Sequence, residues 1–451
     1  MPRIQGDSWK FPATITAAAG AMMVVQPAAA LPSYARQTGE PCTSCHVGGF
    51  GPQLTPHGRD FKLGGYSDSL GSFKVPLSAM VVANFTHTKK DQTAPISGHD
   101  GSNDNWALQE ASIFLAGRLL PGLGTFIQTT YSEIDRAVAF DHADIRYAHT
   151  LQLGGKDLLL GIDINNNPTV QDPYNSVGAW SFPYTASDLG VGHLGGAFMT
   201  GGIEHQAVGA SLYGMYDNHV YAEVGGYRSL STGALDFLGV EDEAGKLSGV
   251  APYWRLALQN DWKGQSASIG LIGMNGKLHP DRLPGPTNNY HDIGIDASYQ
   301  FLGNRKDVFS LNASHIWEKQ NLGWSEAMGE VSRRRQKLRQ WNADVSWYHN
   351  NSYGLTAGLF GLSGTRDPLL NAPEEDFGSA NGKPDTNGFI LQADWTPLGR
   401  EDSPLAPNVN LRLGLQYTGY TKFNGAKHDY DGFGRDAADN NTINAFVWLA
   451  F

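Results

Sequence analysis

The chain has only two cysteines, Cys42 and Cys45, and His46 follows the second directly. Two thiols at C-x-x-C spacing can add across the two vinyl groups of a haem, and the next histidine then falls where its imidazole can bind the iron axially. Other chemistries of a cysteine pair fit less well. A disulfide across two intervening residues closes a small strained loop and leaves His46 unexplained. A zinc site needs four ligands, usually a second pair, and there is no third cysteine. The residues point to one covalent haem c, held by Cys42 and Cys45 with His46 as its proximal ligand.

Covalent haem attachment happens outside the cytoplasm, so the chain should begin with an export signal. Arg3 and Lys10 give a basic start, Phe11 to Val25 is an apolar and small-residue run, and Ala28, Ala29 and Ala30 offer a cleavage site before Leu31. A signal peptide is therefore expected over 1–30. The next unit, 31–75, is too small to bury a haem in a core of its own. The formal net charge of -11 disfavours nucleic acid as a partner. No nucleophile elbow or phosphate-binding loop is present.

Beyond residue 75 there is no run of 18 or more apolar residues, which excludes helical membrane spans. What recurs is period-two alternation over about ten residues, broken by Gly, Asn, Asp and Pro, the pattern of a transmembrane β-barrel. Ile293, Ile295, Ala297, Tyr299 and Phe301 alternate with Asp292, Gly294, Asp296, Ser298 and Gln300. The same holds for Trp341, Ala343, Val345 and Trp347, and for Leu411, Leu413, Leu415 and Tyr417. Sixteen strands are predicted, near 76–90, 106–120, 125–135, 142–153, 157–166, 203–216, 219–230, 252–262, 265–275, 290–302, 307–319, 339–349, 353–363, 387–396, 409–421 and 441–451. Their connections alternate short and long, with 397–408 and 136–141 as the two exceptions. Outer-membrane barrels have this asymmetry, with short turns on the periplasmic side. The last strand alternates up to Phe451, as in the signal read by the outer-membrane assembly machinery. The fold expected is all-β: a 16-stranded antiparallel transmembrane barrel over 76–451, in contact with outer-membrane lipid, with 31–75 as a small haem plug inside its lumen or facing the periplasm.

Two named residues, Met80 and His57, compete with another group or an open site for the sixth position on the haem iron. Met80 shares the inward parity of the first strand with Ser78, Val82 and Asn84, near the rim where the plug would sit. His57 follows His46 closely enough to wrap round the haem edge. His142, His149, His193, His205, His219, His279, His291, His315 and His349 show no paired spacing and read as isolated histidines. Inward carboxylates Glu110, Asp144, Asp163, Asp261, Asp292, Asp296, Asp344 and Asp394 could attract Fe(II), which favours oxygen and imidazole ligands. Glu374, Glu375, Asp376 and the run Arg333, Arg334, Arg335 and Lys337 read as solvated loop charge.

The stretches "SYARQTGEPCTSCHVGGFGPQLTPHGRDFKLGGY" at 33–66 and "NNNPTVQDPYNSVGAWSFPY" at 165–184, with the barrel pattern over most of the rest, resemble the fused outer-membrane monohaem cytochrome-porins, the iron-oxidising cytochrome-porin family. The resemblance implies a single haem c on a plug inside or under the barrel. It further implies that electrons come from an extracellular donor, Fe(II) above all, and pass to a periplasmic cytochrome or other electron carrier. On that basis the chain is an Fe(II) oxidase or electron-transfer protein. The alternative is a porin-type channel in which the haem plug is structural or gating.

Overall fold

A computed structural model describes residues 31–71, 75–175, 177, 184–398, 403, 405 and 408–451. The expected signal segment 1–30 lies outside the described residues. Seventeen strands are present among the described residues: β1 Leu77–Thr88, β2 Asn105–Leu120, β3 Leu123–Ser132, β4 Ala137–Leu153, β5 Lys156–Asn165, β6 Ala207–Tyr216, β7 Val220–Ser229, β8 Lys246–Leu247, β9 Ala251–Trp262, β10 Gln265–His279, β11 Asn288–Phe301, β12 Asp307–Leu322, β13 Arg335–His349, β14 Tyr353–Gly364, β15 Thr386–Trp395, β16 Asn410–Lys422 and β17 Thr442–Ala450. β8 is a two-residue piece on the end of β10. The sixteen long strands each pair antiparallel with their neighbours, and β1 pairs with both β2 and β17, so the sheet closes into a barrel without an edge.

Alternation decides which face looks where. In β11 the apolar residues Ile293, Ile295 and Phe301 are exposed on the outer surface, while Asp292, Asp296, Ser298 and Gln300 are buried inside. The outer surface repeats this with Ile113, Leu160, Leu212, Leu256, Leu271, Leu355 and Leu415. Trp262, Phe301, Tyr353 and Trp395 ring the short-turn end, and Trp106 stands near the other. An apolar band flanked by aromatic residues is the surface of an outer-membrane barrel, and the chain is an outer-membrane protein.

All sixteen expected strands are present, with shifted ends. β6 begins at Ala207, so 203–206 belong to the preceding connection, and β4 extends back to Ala137. Arg335 and Lys337 lie in β13 rather than in a loop. Asp376 is buried and ion-paired to Arg435 at 2.9 Å, which corrects its reading as solvated charge.

Residues 31–71 fill the lumen at the short-turn end with three helices, α1 Pro32–Thr38, α2 Cys42–Cys45 and α3 Pro56–Leu63. Polar side chains of the wall grip the plug all round. Arg59 Nη2 donates to Ser266 Oγ at 2.8 Å and Asp261 at 3.3 Å, Tyr66 Oη to Asp144 at 2.7 Å, and Asn410 Nδ2 to the Gly49 carbonyl at 2.8 Å. The Arg412 guanidinium lies 5.0 Å over the Phe50 ring. From the opposite end, the long connection between β5 and β6 folds inward onto α3. Lys62 Nζ donates to the Val170 carbonyl at 2.5 Å, Arg146 to the Gln171 carbonyl at 2.6 Å, and Asp172 pairs with Arg255 at 3.2 Å. The stretch 165–184 is thus, over its described residues, the cover of the plug.

Candidate functional site

Cys42 and Cys45 form one turn of helix, closed by the His46 amide donating to the Cys42 carbonyl at 2.8 Å. The residues that follow are folded back on this turn. The Thr55 amide donates to the Cys45 carbonyl at 2.9 Å, and Thr55 Oγ1 caps α3 by accepting from the Gly58 amide at 3.2 Å. A Cβ on Gly58 would lie 2.2 Å from the Cys45 carbonyl oxygen, so only glycine lets α3 pack this closely. Both thiols are free, and burial, then for Cys45 the Glu40 charge, pushes them up to about 11 for Cys42 and about 12 for Cys45. His46 is pushed down to about 4 by burial and then by the Arg412 charge, which keeps the imidazole neutral. Its Nδ1 is buried with no hydrogen-bond partner.

Cys45 and His46 line a cavity of about 620 Å³ between the plug and the β1–β4 wall. Phe61, Tyr66, Phe114 and Phe126 make much of its surface. The volume lies within the range of small-molecule and cofactor sites. Met80 also lines it, with Sδ accepting from Trp448 Nε1 at 3.3 Å. His57 does not line it: its side chain is 47% exposed and its Nε2 lies 2.7 Å from Glu40 Oε2. The structure therefore brings Cys45, His46 and Met80 to one space and leaves His57 beside it.

The outward part of the same cavity is lined by Glu110, Asp141, His142, Asp188, Glu204 and His205. His142 Nε2 lies 3.4 Å from Asp141 Oδ1 and His205 Nε2 lies 3.1 Å from it, with the two imidazole centroids 4.9 Å apart. The reading of His142 and His205 as isolated is thereby corrected. Nothing in local spacing connects β4 to the turn before β6.

The inward carboxylates are mostly committed to other partners. Asp144 pairs with Arg146 at 2.9 Å, Asp296 with Arg255 at 2.6 Å and Asp261 with Arg59 at 3.3 Å. Asp163 accepts from Asn165 at 2.6 Å, Asp292 from the Met199 amide at 2.8 Å, Asp344 from Asn312 and Asp394 from Gln392, both at 3.0 Å. Of the eight, only Glu110 lines the cavity of Cys45 and His46. The expectation that these carboxylates could attract Fe(II) is thus left resting on Glu110 within this cavity, since arginines and amides of the wall and plug engage the others.

No protein-family model matches the chain, and no curated protein matches it. Among solved structures it is similar to the outer membrane channel DcaP of Acinetobacter baumannii, at 12% identity and a TM-score of 0.45 over 86% of this chain and 99% of that one. It is also similar to the anion-selective porin from Comamonas acidovorans, at 13% identity and 0.43 over 83% and 98%. A further likeness is to OmpT, an outer membrane protein of Vibrio cholerae, at 6% identity and 0.40 over 83% and 96%.

Proposed function

We propose that the protein is an outer-membrane electron conduit, in which one haem c attached through Cys42 and Cys45 takes electrons from an extracellular reductant, Fe(II), and passes them to a periplasmic carrier. The observation that carries this reading is the position of the C-x-x-C-H turn: of its two free thiols Cys45, together with the buried His46 imidazole, lines a 620 Å³ aromatic-lined cavity inside a closed barrel, and Cys42 lies one helical turn away. The residues suit the group. Cys42 and Cys45 would form the thioethers, His46 offers a neutral nitrogen to the iron, and Phe61, Phe114 and Phe126 would keep water from the ring. When bound, the haem supplies one-electron chemistry. Met80 is the candidate for the sixth position that lines the same cavity, and His57 is the candidate that does not. The plug sits at the short-turn end, which in such barrels faces the periplasm and hence a soluble acceptor.

The test is spectroscopic. Anaerobic Fe(II) added to the purified protein in detergent should convert the oxidised haem bands to the reduced ones. If dithionite reduces the haem and Fe(II) does not, at any pH where the barrel is intact, the donor assignment fails. Cys42→Ser with Cys45→Ser should abolish covalent haem while leaving a barrel that runs as a heat-modifiable band, because strand pairing closes the barrel independently of the plug.

A second reading draws on the strand number, since sixteen strands enclose a lumen wide enough for water. In it the chain is a porin-type channel whose haem plug is structural or gating. Solute flux through the reconstituted double-serine protein, above that of the parent protein with no Fe(II)-driven reduction in either, would favour it.

A further inference from the structure

We infer that Asp141, His142 and His205, with Glu204 beside them, form a binding site for a first-row divalent transition-metal ion at the outward end of the cavity. Naming Fe(II) as its physiological occupant rests on the conduit reading above.

The backbone builds this site on purpose. Neighbours in a strand normally point to opposite faces, so consecutive ligands from one strand need a break in register. Between β3 and β4 the pairing passes from Ile127 with Ala143 to Thr129 with Phe140, so Asp141 and His142 together oppose Gln128. That is a β-bulge, and it delivers both side chains to the cavity. The bulge is pinned by Asn166, which accepts from the Ala143 amide at 2.7 Å through Oδ1 and donates through Nδ2 to the Asp141 carbonyl at 2.5 Å. The carbonyl of Asn166 in turn accepts from the His205 amide at 3.1 Å, and Asn167 Nδ2 donates to Glu204 Oε1. One short run of asparagines thus fixes both halves of the site. Thr130 Oγ1 holds the Asp141 carboxylate at 2.7 Å.

The ligand chemistry is specific. One ligand atom from each of Asp141, His142 and His205 falls within 4.8 Å of the others, a distance that chelation by a single ion would close. Two imidazoles and a carboxylate are a donor set that suits Fe(II) and its neighbours in the first row and leaves positions for water. Glu204 Oε1 lies 3.5 Å from His205 Nε2, and Glu110 and Asp188 line the same space with further carboxyl oxygens, a lining that suits a cation. The position is also apt. On β4 the site stands just outward of Asp144, which holds Tyr66 of the plug, so an ion there shares the cavity with His46. With Fe(II) bound, one electron would pass from it, leaving Fe(III), to a ferric haem iron, leaving ferrous iron, with no bond of the protein made or broken.

The experiment uses the full, haem-loaded protein in detergent and Mn(II), which the haem does not oxidise, as the probe. Loss of the free Mn(II) electron paramagnetic resonance signal should report one site, with affinity reduced about 100-fold in His205→Ala and again in His142→Ala, since even outer-shell changes cost 10–100-fold. His205→Gln, which keeps a polar hydrogen-bonding side chain in the turn but removes the imidazole, should lose binding equally, and heat-modifiable gel mobility reports the barrel in each variant. Failure of the parent protein to bind Mn(II), or equal binding by all variants, overturns the site. Mn(II) binding that depends on the histidines, with haem that Fe(II) never reduces, upholds the site and overturns the conduit. Fe(II)-driven haem reduction at an unchanged rate in His205→Ala upholds the conduit and removes this site from it.

Discussion

Two arcs of the barrel wall are built differently. From the β4/β5 ladder round to β14/β15 the strands pair residue for residue, without a bulge until the outer end of β15. The arc from β1 to β4 breaks register three times, after Val82, at Arg118 and at Gln128. The regular arc presents buried polar residues that grip the plug and its cover, such as Arg255 with Asp172 and Asp296. The irregular arc presents the cavity. Its first break sets Gln109 and Glu110, consecutive in sequence, on that cavity, and its third does the same for Asp141 and His142. A regular ladder spends every second residue on lipid; a bulge is how a strand gives two neighbours to the lumen. The irregular arc therefore carries the candidate chemistry along with its share of the attachment, such as Asp144 with Tyr66, and the regular arc carries attachment alone.

Removing one residue from each arc should separate them most sharply. Deleting Asp141 takes away the extra residue of the bulge, and because pairing with β5 begins only at Asp144, the ladder with β3 can close regularly. That deletion should leave a heat-modifiable barrel that has lost Mn(II) binding. Deleting Ser298 from the middle of β11 shifts two regular ladders and turns part of the strand inside out, placing polar residues in lipid. It should give no inserted barrel in a membrane-fraction assay. Equal insertion of both would deny that the arcs differ in tolerance.

A smaller effect is expected where the plug meets itself. In Gly58→Ala the new methyl meets a backbone oxygen that no rotamer can avoid, at a cost of about 1–3 kcal/mol. With the proposed haem attached, its ratio to protein in purified material should fall, and the plug should become sensitive to protease, while the gel mobility of the barrel stays unchanged. An unaltered haem content would mean that the turn and α3 are not packed as tightly as the geometry has them.

The smallest change is spectral. If the Met80 thioether completes the iron coordination opposite His46, Met80→Ala should alter the Soret and near-infrared bands and lower the potential, since Met/His ligation raises it. His57→Ala, on a residue paired with Glu40 outside the cavity, should leave the spectrum as it was. The reverse result would give the sixth position to His57, and silence from both would give it to another cavity residue or to water.

The C-x-x-C-H turn and the sixteen strands were legible in the sequence because each is a local property. Thioether spacing needs only four residues, and a strand such as β11 declares its lipid and lumen faces within ten. The inward parity of Met80 followed from the same periodicity. Tertiary structure alone decided the rest. His142 and His205 are 63 residues apart and meet only because the connection before β6 folds into the lumen, an arrangement that no repeat announces. The bulge at Asp141 is one residue of irregular alternation in β4, indistinguishable in the sequence from a strand end, which is why the expected strand starts only at 142. The inward carboxylates were visible, but not that Arg59 and Arg255 would neutralise Asp261 and Asp296, because those partners lie on the plug and across strands; only Arg146, two residues from Asp144 on the same face of β4, stood within local reach. Periodicity fixes which way a side chain points; only closure of the barrel around its plug fixes what it meets there.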